Sequence, residues 1–139
     1  MKADPAHMAK IHAACFTNTR AWNAAEFCEL LQNPTSIFAA QTSGFALGRV
    51  VADEAEILTI AVLPNLQRSG IGRTLLAGLE ATALSARATR MFLEVSQENQ
   101  GAITLYQNAG FTQTGLRKGY YSSSDGSKTD ALILSKRLE

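Results

Sequence analysis

The chain has 139 residues, of which 46% are hydrophobic and 18% are charged, and this composition is typical of one folded domain with a sizeable core. Its formal net charge is only +1, so charge gives no reason to expect a nucleic-acid or anionic-membrane partner. The first residues contain no apolar run, and no stretch approaches the roughly 18 apolar residues of a membrane span. These features predict a single cytoplasmic domain over residues 1–139.

Two helices are predicted in the first part of the chain. Pro5 suits a first helical position, and apolar residues recur at helical spacing over 5–16. Asn23 is a typical N-cap residue, with Glu26 three residues further on, as in a capping box. Pro34 ends the second helix, because proline both stops a helix and extends the residue before it.

The remaining chain alternates between strand and helix patterns. A hairpin is predicted over 37–51, and the later segments are strand 55–63, helix 71–86, strand 90–95, helix 99–111, strands 112–118 and 130–138, and a polar loop 120–128. This order predicts an α/β (α+β) fold in which a mixed sheet carries helices on its faces.

The cysteines and histidines show no metal or redox pattern. Cys15 and Cys28 lack CxxC spacing and lie in apolar helical stretches, so they are predicted to be buried, reduced thiols. His7 and His12 are five residues apart, which does not place them on one helical face. No metal site is therefore predicted.

The stretch "QRSGIGRTLL" joins a predicted strand to a predicted helix. Gly70 and Gly72 would let an anion approach the unpaired N–H groups of the first helical turn, and Arg68 and Arg73 add positive charge. The spacing matches neither the dinucleotide pattern GxGxxG nor the Walker pattern GxxxxGK[ST]. The junction is either a pyrophosphate cradle or a turn that needs glycine for its geometry alone.

The surrounding residues resemble the GNAT acetyltransferases. "LTIAVLPNLQRSGIGRTLL" is similar to the segment in which Q/R-x-x-G-x-G/A binds the acetyl-CoA pyrophosphate. "DEAEILTIAV", "LEV", the "NxxAIxLYxxxGF" pattern, the double tyrosine and "DAL" resemble the RimI-type branch, the ribosomal-protein alanine N-acetyltransferases. The resemblance implies a sheet flanked by about four helices and splayed open at the acetyl-CoA site.

The resemblance also implies which residues bind acetyl-CoA. The backbone of the strand would pair with pantetheine, which needs an exposed strand edge, and an N–H there could polarise the acetyl carbonyl. The residues implied are Ile60, Ala61, Val62, Arg68, Ser69, Gly70, Ile71, Gly72, Arg73, Asn99 and Tyr106.

Glu94 is the predicted general base. It interrupts the apolar strand "MFLEV", where glutamate is uncommon, and the resemblance places the base at this position, acting through water. The alternative is a solvent-facing residue on a one-sided sheet. Glu54 and Glu56 precede the cofactor strand and remain the second choice for the base.

Tyr106 is the predicted general acid, since the resemblance gives the matching tyrosine the task of protonating the departing sulfur. A phenol with a pKa of about 10 protonates a thiolate of about 8.5 at a cost of about 2 kcal/mol. The alternative is a tyrosine of the core beside Leu105 and Ile103. Asn99 is expected to cap its helix and, by the resemblance, to contact the cofactor.

The acceptor is predicted to be an α-amine. At pH 7 neutralising an N-terminal amine costs about 1.4 kcal/mol, against roughly 4.6 for lysine. The resemblance forms the acceptor groove from the first two helices, with Trp22 and Phe27, and from the loop with Tyr120 and Tyr121. Simple packing is an equal alternative for Trp22 and Phe27.

The chain departs from the RimI-type pattern in three places. Ser122 replaces the usual proline after the two tyrosines, Thr129 replaces one of two acidic residues, and the usual strand before the first helix is missing. A small amine is therefore a rival acceptor to a protein N-terminus, for which the resemblance implies a ribosomal protein. A non-catalytic acyl-CoA-binding module is a third hypothesis, disfavoured by the retention of Glu94 and Tyr106. No nucleic-acid or membrane partner is expected, and the oligomeric state is left open.

Overall fold

The computed structural model describes residues 4–16, 22–122 and 125–139. Within these ranges the chain forms helices and strands in the order α1 Pro5–Cys15, α2 Ala24–Gln32, β1 Ser36–Gln41, β2 Gly44–Val51, β3 Glu54–Val62, α3 Ile71–Ser85, β4 Arg90–Ser96, α4 Gln100–Asn108, β5 Thr112–Ser122 and β6 Lys128–Arg137. A short 3-10 turn, Pro64–Leu66, lies between β3 and α3.

The strands form one sheet in the order β1-β2-β3-β4-β6-β5. All neighbouring strands are antiparallel except β3 and β4, which are parallel because α3 carries the chain back between them. The prediction of a mixed sheet flanked by four helices is confirmed.

β3 and β4 separate partway along their length. They pair only over Glu54–Arg90, Ala55–Met91 and Glu56–Phe92, although β3 continues to Val62. A register shift between β2 and β3 leaves Leu58 as an extra residue at the point of separation. The second half of β3 therefore has one edge unpaired by strands, which confirms the predicted splay.

Two apolar cores lie on opposite faces of the sheet. One packs α3 and α4 on the strands, around Leu79, Leu93 and Phe111. The other packs α1 and α2 on β1, β2 and β3, around Phe27 and Phe45. Helices α1 and α2 cover only the β1–β3 half of their face of the sheet. On the uncovered half, β4 presents Glu94 as a partly exposed residue, while its neighbours in sequence, Leu93 and Val95, are buried on the opposite face.

Local capping bonds explain where the first helices begin. The Asn23 side chain accepts from the Glu26 N–H, and the Glu26 carboxylate accepts from the Asn23 N–H, which confirms the predicted capping box. Asp4 caps α1 by accepting from the Ala6 N–H, a contact that the sequence pattern did not reveal.

Two details of the sequence reading are wrong. The segment 120–128 is not one loop: β5 extends to Ser122 and β6 begins at Lys128, so both predicted tyrosines lie on a strand. Cys28 is exposed rather than buried, because it lies on the outer side of α2. Among the described residues no helix is both long and apolar enough to cross a membrane.

Candidate active site

A cleft of about 580 Å³ lies between the unpaired edge of β3 and helix α4, and the start of α3 closes one end of it. We name it the β3–α4 cleft. Its walls are Cys15, Ile60, Ala61, Val62, Gln67, Arg68, Gly70, Gly72, Arg73, Asn99, Gly101, Ala102, Thr104, Leu105, Tyr106 and Asn108. The cleft thus brings together nine of the eleven predicted cofactor residues, and Ser69 and Ile71 lie outside its walls.

The start of α3 leaves backbone N–H groups open to a further partner. No side chain caps the helix, and its first backbone bond runs from the Thr74 N–H to the Gly70 carbonyl, so the preceding N–H groups are left for another partner. Arg68 and Arg73 line the same end of the cleft, where the helix dipole is already positive. The two cations and the helix dipole make that end of the cleft electropositive, which suits a pyrophosphate.

Gly70 provides both the backbone conformation and the open space that an anion at the start of α3 would need. Its φ of +89° is a left-handed conformation that other residues adopt at a cost, and a Cβ added there would have no heavy atom within 4 Å. At the point where the anion would approach, the backbone is therefore in the left-handed conformation and no neighbouring atom blocks access to it.

We expect Gly70→Ala to lower the free energy of unfolding by about 1 kcal/mol and to weaken acetyl-CoA binding at least tenfold, because the methyl group enters the cradle. Gly126→Ala is the matched control, since Gly126 has a φ of +86° and equally open surroundings but does not line the cleft. Chemical denaturation and calorimetry would measure both quantities. Equal acetyl-CoA affinity in the two variants would contradict the assignment of the cradle.

The unpaired edge of β3 is partly engaged by the chain itself. The Val62 carbonyl accepts from the Cys15 thiol at 3.0 Å and from the Gln67 amide at 3.1 Å. Burial raises the pKa of the Cys15 thiol. Three residues earlier in the strand, the Thr59 hydroxyl is buried without a partner among the described residues. The edge at Ile60 and Ala61 is therefore the part best suited to pairing with an extended pantetheine.

Helix α4 forms the opposite wall. Asn99 caps it by accepting from the Ala102 N–H at 3.2 Å, so its expected structural role is confirmed, and it also lines the cleft. Tyr106 is 6% exposed and packs its ring against Phe111, with ring centroids 5.6 Å apart. Burial raises the pKa of Tyr106 above its ordinary value, with a smaller contribution from Tyr121. The phenol is therefore protonated throughout the neutral range.

Glu94 lies on β4 outside the walls of the β3–α4 cleft, with its side chain 20% exposed. One carboxylate oxygen is 3.3 Å from the guanidinium of Arg117 on β5. Burial raises the pKa of Tyr121, and the negative charge of Glu94 raises it further. Tyr121 in turn raises the pKa of Tyr106 slightly, so it lies near both the predicted base and the predicted acid.

The two alternative bases lie elsewhere. Glu54 pairs with Arg90 at 3.1 Å and Glu56 pairs with Arg49 at 2.7 Å. Both carboxylates belong to the part of β3 that precedes the splay, and neither lines the cleft. Each carboxylate is therefore engaged in an ion pair outside the β3–α4 cleft.

The aromatic residues predicted for the acceptor groove separate into two groups. Phe27 is fully buried against Phe45, and Trp22 stacks on His12 with ring centroids 4.9 Å apart, so both belong to the α1–α2 core. Tyr120 and Tyr121 lie together on β5, with ring centroids 5.1 Å apart, beside Glu94 and its partner.

The histidines serve packing and hydrogen bonding. His7 bonds the Thr42 carbonyl at 2.6 Å, and His12 accepts from the Trp22 N–H at 3.1 Å. Over the described ranges no three His, Cys, Asp or Glu side chains lie together as metal ligands would.

Sequence reasoning missed two parts of the site. Gly101, Thr104 and Asn108 share one face of α4 and line the cleft, and a helical projection from Asn99 would have found them. Cys15 also lines it, although it is 47 residues from its bonding partner Val62, and no local signal marks that contact.

The fold and this cleft define a class of protein. A family profile described as "Acetyltransferase (GNAT) family" matches residues 6–111, and the chain belongs to that family.

The names of several relatives also specify the group that those enzymes acetylate. The [Ribosomal protein bS18]-alanine N-acetyltransferase of Escherichia coli is 40% identical over 92 residues, which are 66% of this chain and 62% of that enzyme. The match therefore spans less than two thirds of the relative's length. N-alpha-acetyltransferase RimI of Mycobacterium tuberculosis is 35% identical over 132 residues, covering 88% of this chain and 82% of the relative.

Solved structures point the same way. The crystal structure of the ribosomal-protein-S18-alanine N-acetyltransferase from Escherichia coli has a TM-score of 0.81 at 30% identity, over 94% of this chain and 85% of that one. Nourseothricin acetyltransferase has a TM-score of 0.68 at 28% identity, over 76% of this chain and 67% of that one.

Proposed function

We propose that this protein is an acetyl-CoA-dependent N-acetyltransferase that acts on the N-terminal α-amine of a protein, of the ribosomal-protein alanine type. The observation that carries the proposal is the β3–α4 cleft, in which an unpaired strand edge, an uncapped helix start with two arginines, and a buried tyrosine line one cavity. The named relatives support the choice of acceptor. We further propose that residues 1–139 form one domain that works in the cytoplasm.

Arg68 and Arg73 would bind the pyrophosphate together with the free N–H groups of α3, and Ile60 and Ala61 would pair with the pantetheine. When bound, acetyl-CoA supplies the acyl group as a thioester. The backbone of β3 then orients the acetyl carbonyl, and a strand N–H can stabilise the negative charge that develops on its oxygen.

Glu94 would accept the proton that the acceptor amine loses, through a bridging water, since its side chain is partly exposed and outside the cleft walls. Tyr106 would direct its phenolic O–H at the leaving sulfur in the cleft. Since burial raises the pKa of Tyr106, complete transfer from it costs more than the about 2 kcal/mol of an ordinary phenol. Its phenol therefore assists by a hydrogen bond that shortens as charge develops on the sulfur.

The direct test is acetyl transfer to a peptide that copies the N-terminus of the bS18 protein from the same cell, followed by mass spectrometry. We expect one acetyl group on the α-amine and none on lysine side chains. The same peptide with a blocked N-terminus is the control and should remain unmodified. Binding of acetyl-CoA without transfer to the peptide or to any amine would instead support an acyl-CoA-binding module.

A second candidate is acetylation of a small amine. The structural likeness to nourseothricin acetyltransferase favours it, together with Ser122 in place of the usual proline. A panel of polyamines and aminoglycoside-type amines, followed by release of free CoA, separates the two candidates. Faster release with a small amine than with the peptide would favour the second.

A further inference from the structure

The predicted base, Glu94, has a positively charged neighbour on its face of the sheet. Glu94 is 20% exposed and lies 3.3 Å from the guanidinium of Arg117, whose side chain is 54% exposed. The same guanidinium lies over the ring of Tyr120, 5.2 Å from its centroid. An arginine has five N–H donors, and these two contacts leave several directed to solvent beside the carboxylate.

The position of Arg117 is set by an irregularity in β5. Between the pairs Arg117–Ala131 and Tyr121–Thr129, β5 advances by four residues while β6 advances by two. Gly119 lies among the extra residues with a φ of +60°, and its N–H donates to the Asp130 carboxylate at 2.8 Å. This bulge brings Tyr120 onto Arg117, so the guanidinium is held by the fold and not only by its ion pair.

A carboxylate beside a guanidinium matches one chemical group closely. The N-terminus of a peptide has an amino group and a carbonyl separated by a single carbon, so the nitrogen can reach Glu94 through the bridging water while the carbonyl oxygen accepts from Arg117. A lysine side chain or a simple alkylamine has no carbonyl beside its nitrogen. The pair can therefore distinguish an α-amine of a peptide from other amines.

We propose that Arg117 determines acceptor specificity by donating a hydrogen bond to the first carbonyl oxygen of the acceptor peptide. The inference rests on the proposed function, and it adds a residue that the family resemblance did not point to. The competing role for Arg117 is to hold Glu94 in place, which would affect every acceptor equally.

The test pairs a variant with a change in the acceptor. Two alanine-initiated hexapeptides are compared, one natural and one in which an alkene replaces the first amide bond, so that it lacks the first carbonyl oxygen together with the amide N–H. We expect the wild-type chain to have a kcat/KM at least tenfold lower for the alkene peptide, mainly through KM. In Arg117→Met, which keeps the aliphatic stem over Tyr120, the difference between the two peptides should shrink to the part caused by the lost amide N–H.

Two further variants complete the test. Arg117→Lys keeps the charge but not the planar fork, and it should retain part of the preference for the natural peptide. Lys118→Met removes the neighbouring exposed cation on the same strand and should leave the preference intact. Equal loss on both peptides in Arg117→Met would overturn the inference alone. Failure of the wild-type chain to acetylate either peptide would overturn the proposed function and the inference together.

Discussion

Glu94→Gln should lower kcat at least a hundredfold. The substitution keeps the shape of the side chain and an oxygen that can face Arg117, but an amide does not accept a proton at neutral pH. General base catalysis contributes on the order of 10²–10⁴ to a rate, so the loss should lie in that range. Steady-state kinetics with the acceptor peptide measure it, and calorimetry should find acetyl-CoA affinity within twofold of wild type, because Glu94 is not a wall of the cleft.

The matched controls are Glu54→Gln and Glu56→Gln on the neighbouring strand. Each removes a carboxylate that is engaged by an arginine outside the cleft, so kcat should remain within about twofold of wild type. If either control loses activity while Glu94→Gln retains it, the base lies on β3 and our assignment is wrong.

Tyr106→Phe should also lower kcat at least a hundredfold, since it removes only the hydroxyl that would donate to the leaving sulfur. The ring would keep its packing against Phe111. No described residue bonds the phenol, so the free energy of unfolding at pH 7 should change by less than about 1 kcal/mol. Thr82→Val is the control, because it removes a hydroxyl from α3 that bonds only the helix backbone and does not line the cleft. A fully active, stable Tyr106→Phe would show that Tyr106 is only a core residue.

The same variant has a distinct stability profile at high pH. Because burial raises the pKa of Tyr106 above its ordinary 10.0, the folded chain retains a proton that the unfolded chain releases. The stability that depends on this proton is complete below pH 10 and is lost as pH rises above it. Wild type should therefore lose stability relative to Tyr106→Phe above pH 10, and parallel denaturation curves in both would contradict the burial of the phenol.

Much of the site was predictable because its parts are local in sequence. Gly70 and the arginines beside it are separated by three residues or fewer, and the bond that caps α4 joins Asn99 to Ala102. Backbone conformation, capping and helix dipole act over such distances, so composition and spacing reveal them. The position of Glu94 within an apolar strand could be read in the same way.

The strand ends and the neighbours of the base could not be predicted. A polar composition made 120–128 look like a loop, yet backbone pairing with β6 carries β5 through both tyrosines. Composition reports the polarity of the side chains. The pairing of an edge strand depends instead on the backbone hydrogen bonds that a segment distant in sequence provides. Glu94 on β4 and Arg117 on β5 come close because both strands pair with β6, one on each side of it.

The amino-acid sequence by itself determined the order of helices and strands, the uncapped helix start with its glycines and arginines, and the residues capable of acid and base chemistry, since each depends on near neighbours along the chain. Tertiary structure alone decided where β3 and β4 separate, which thiol reaches the strand edge, and which cation faces the carboxylate. Those outcomes depend on the register and packing of segments far apart in the chain, and a shift of a single residue would turn the same side chains to the opposite face.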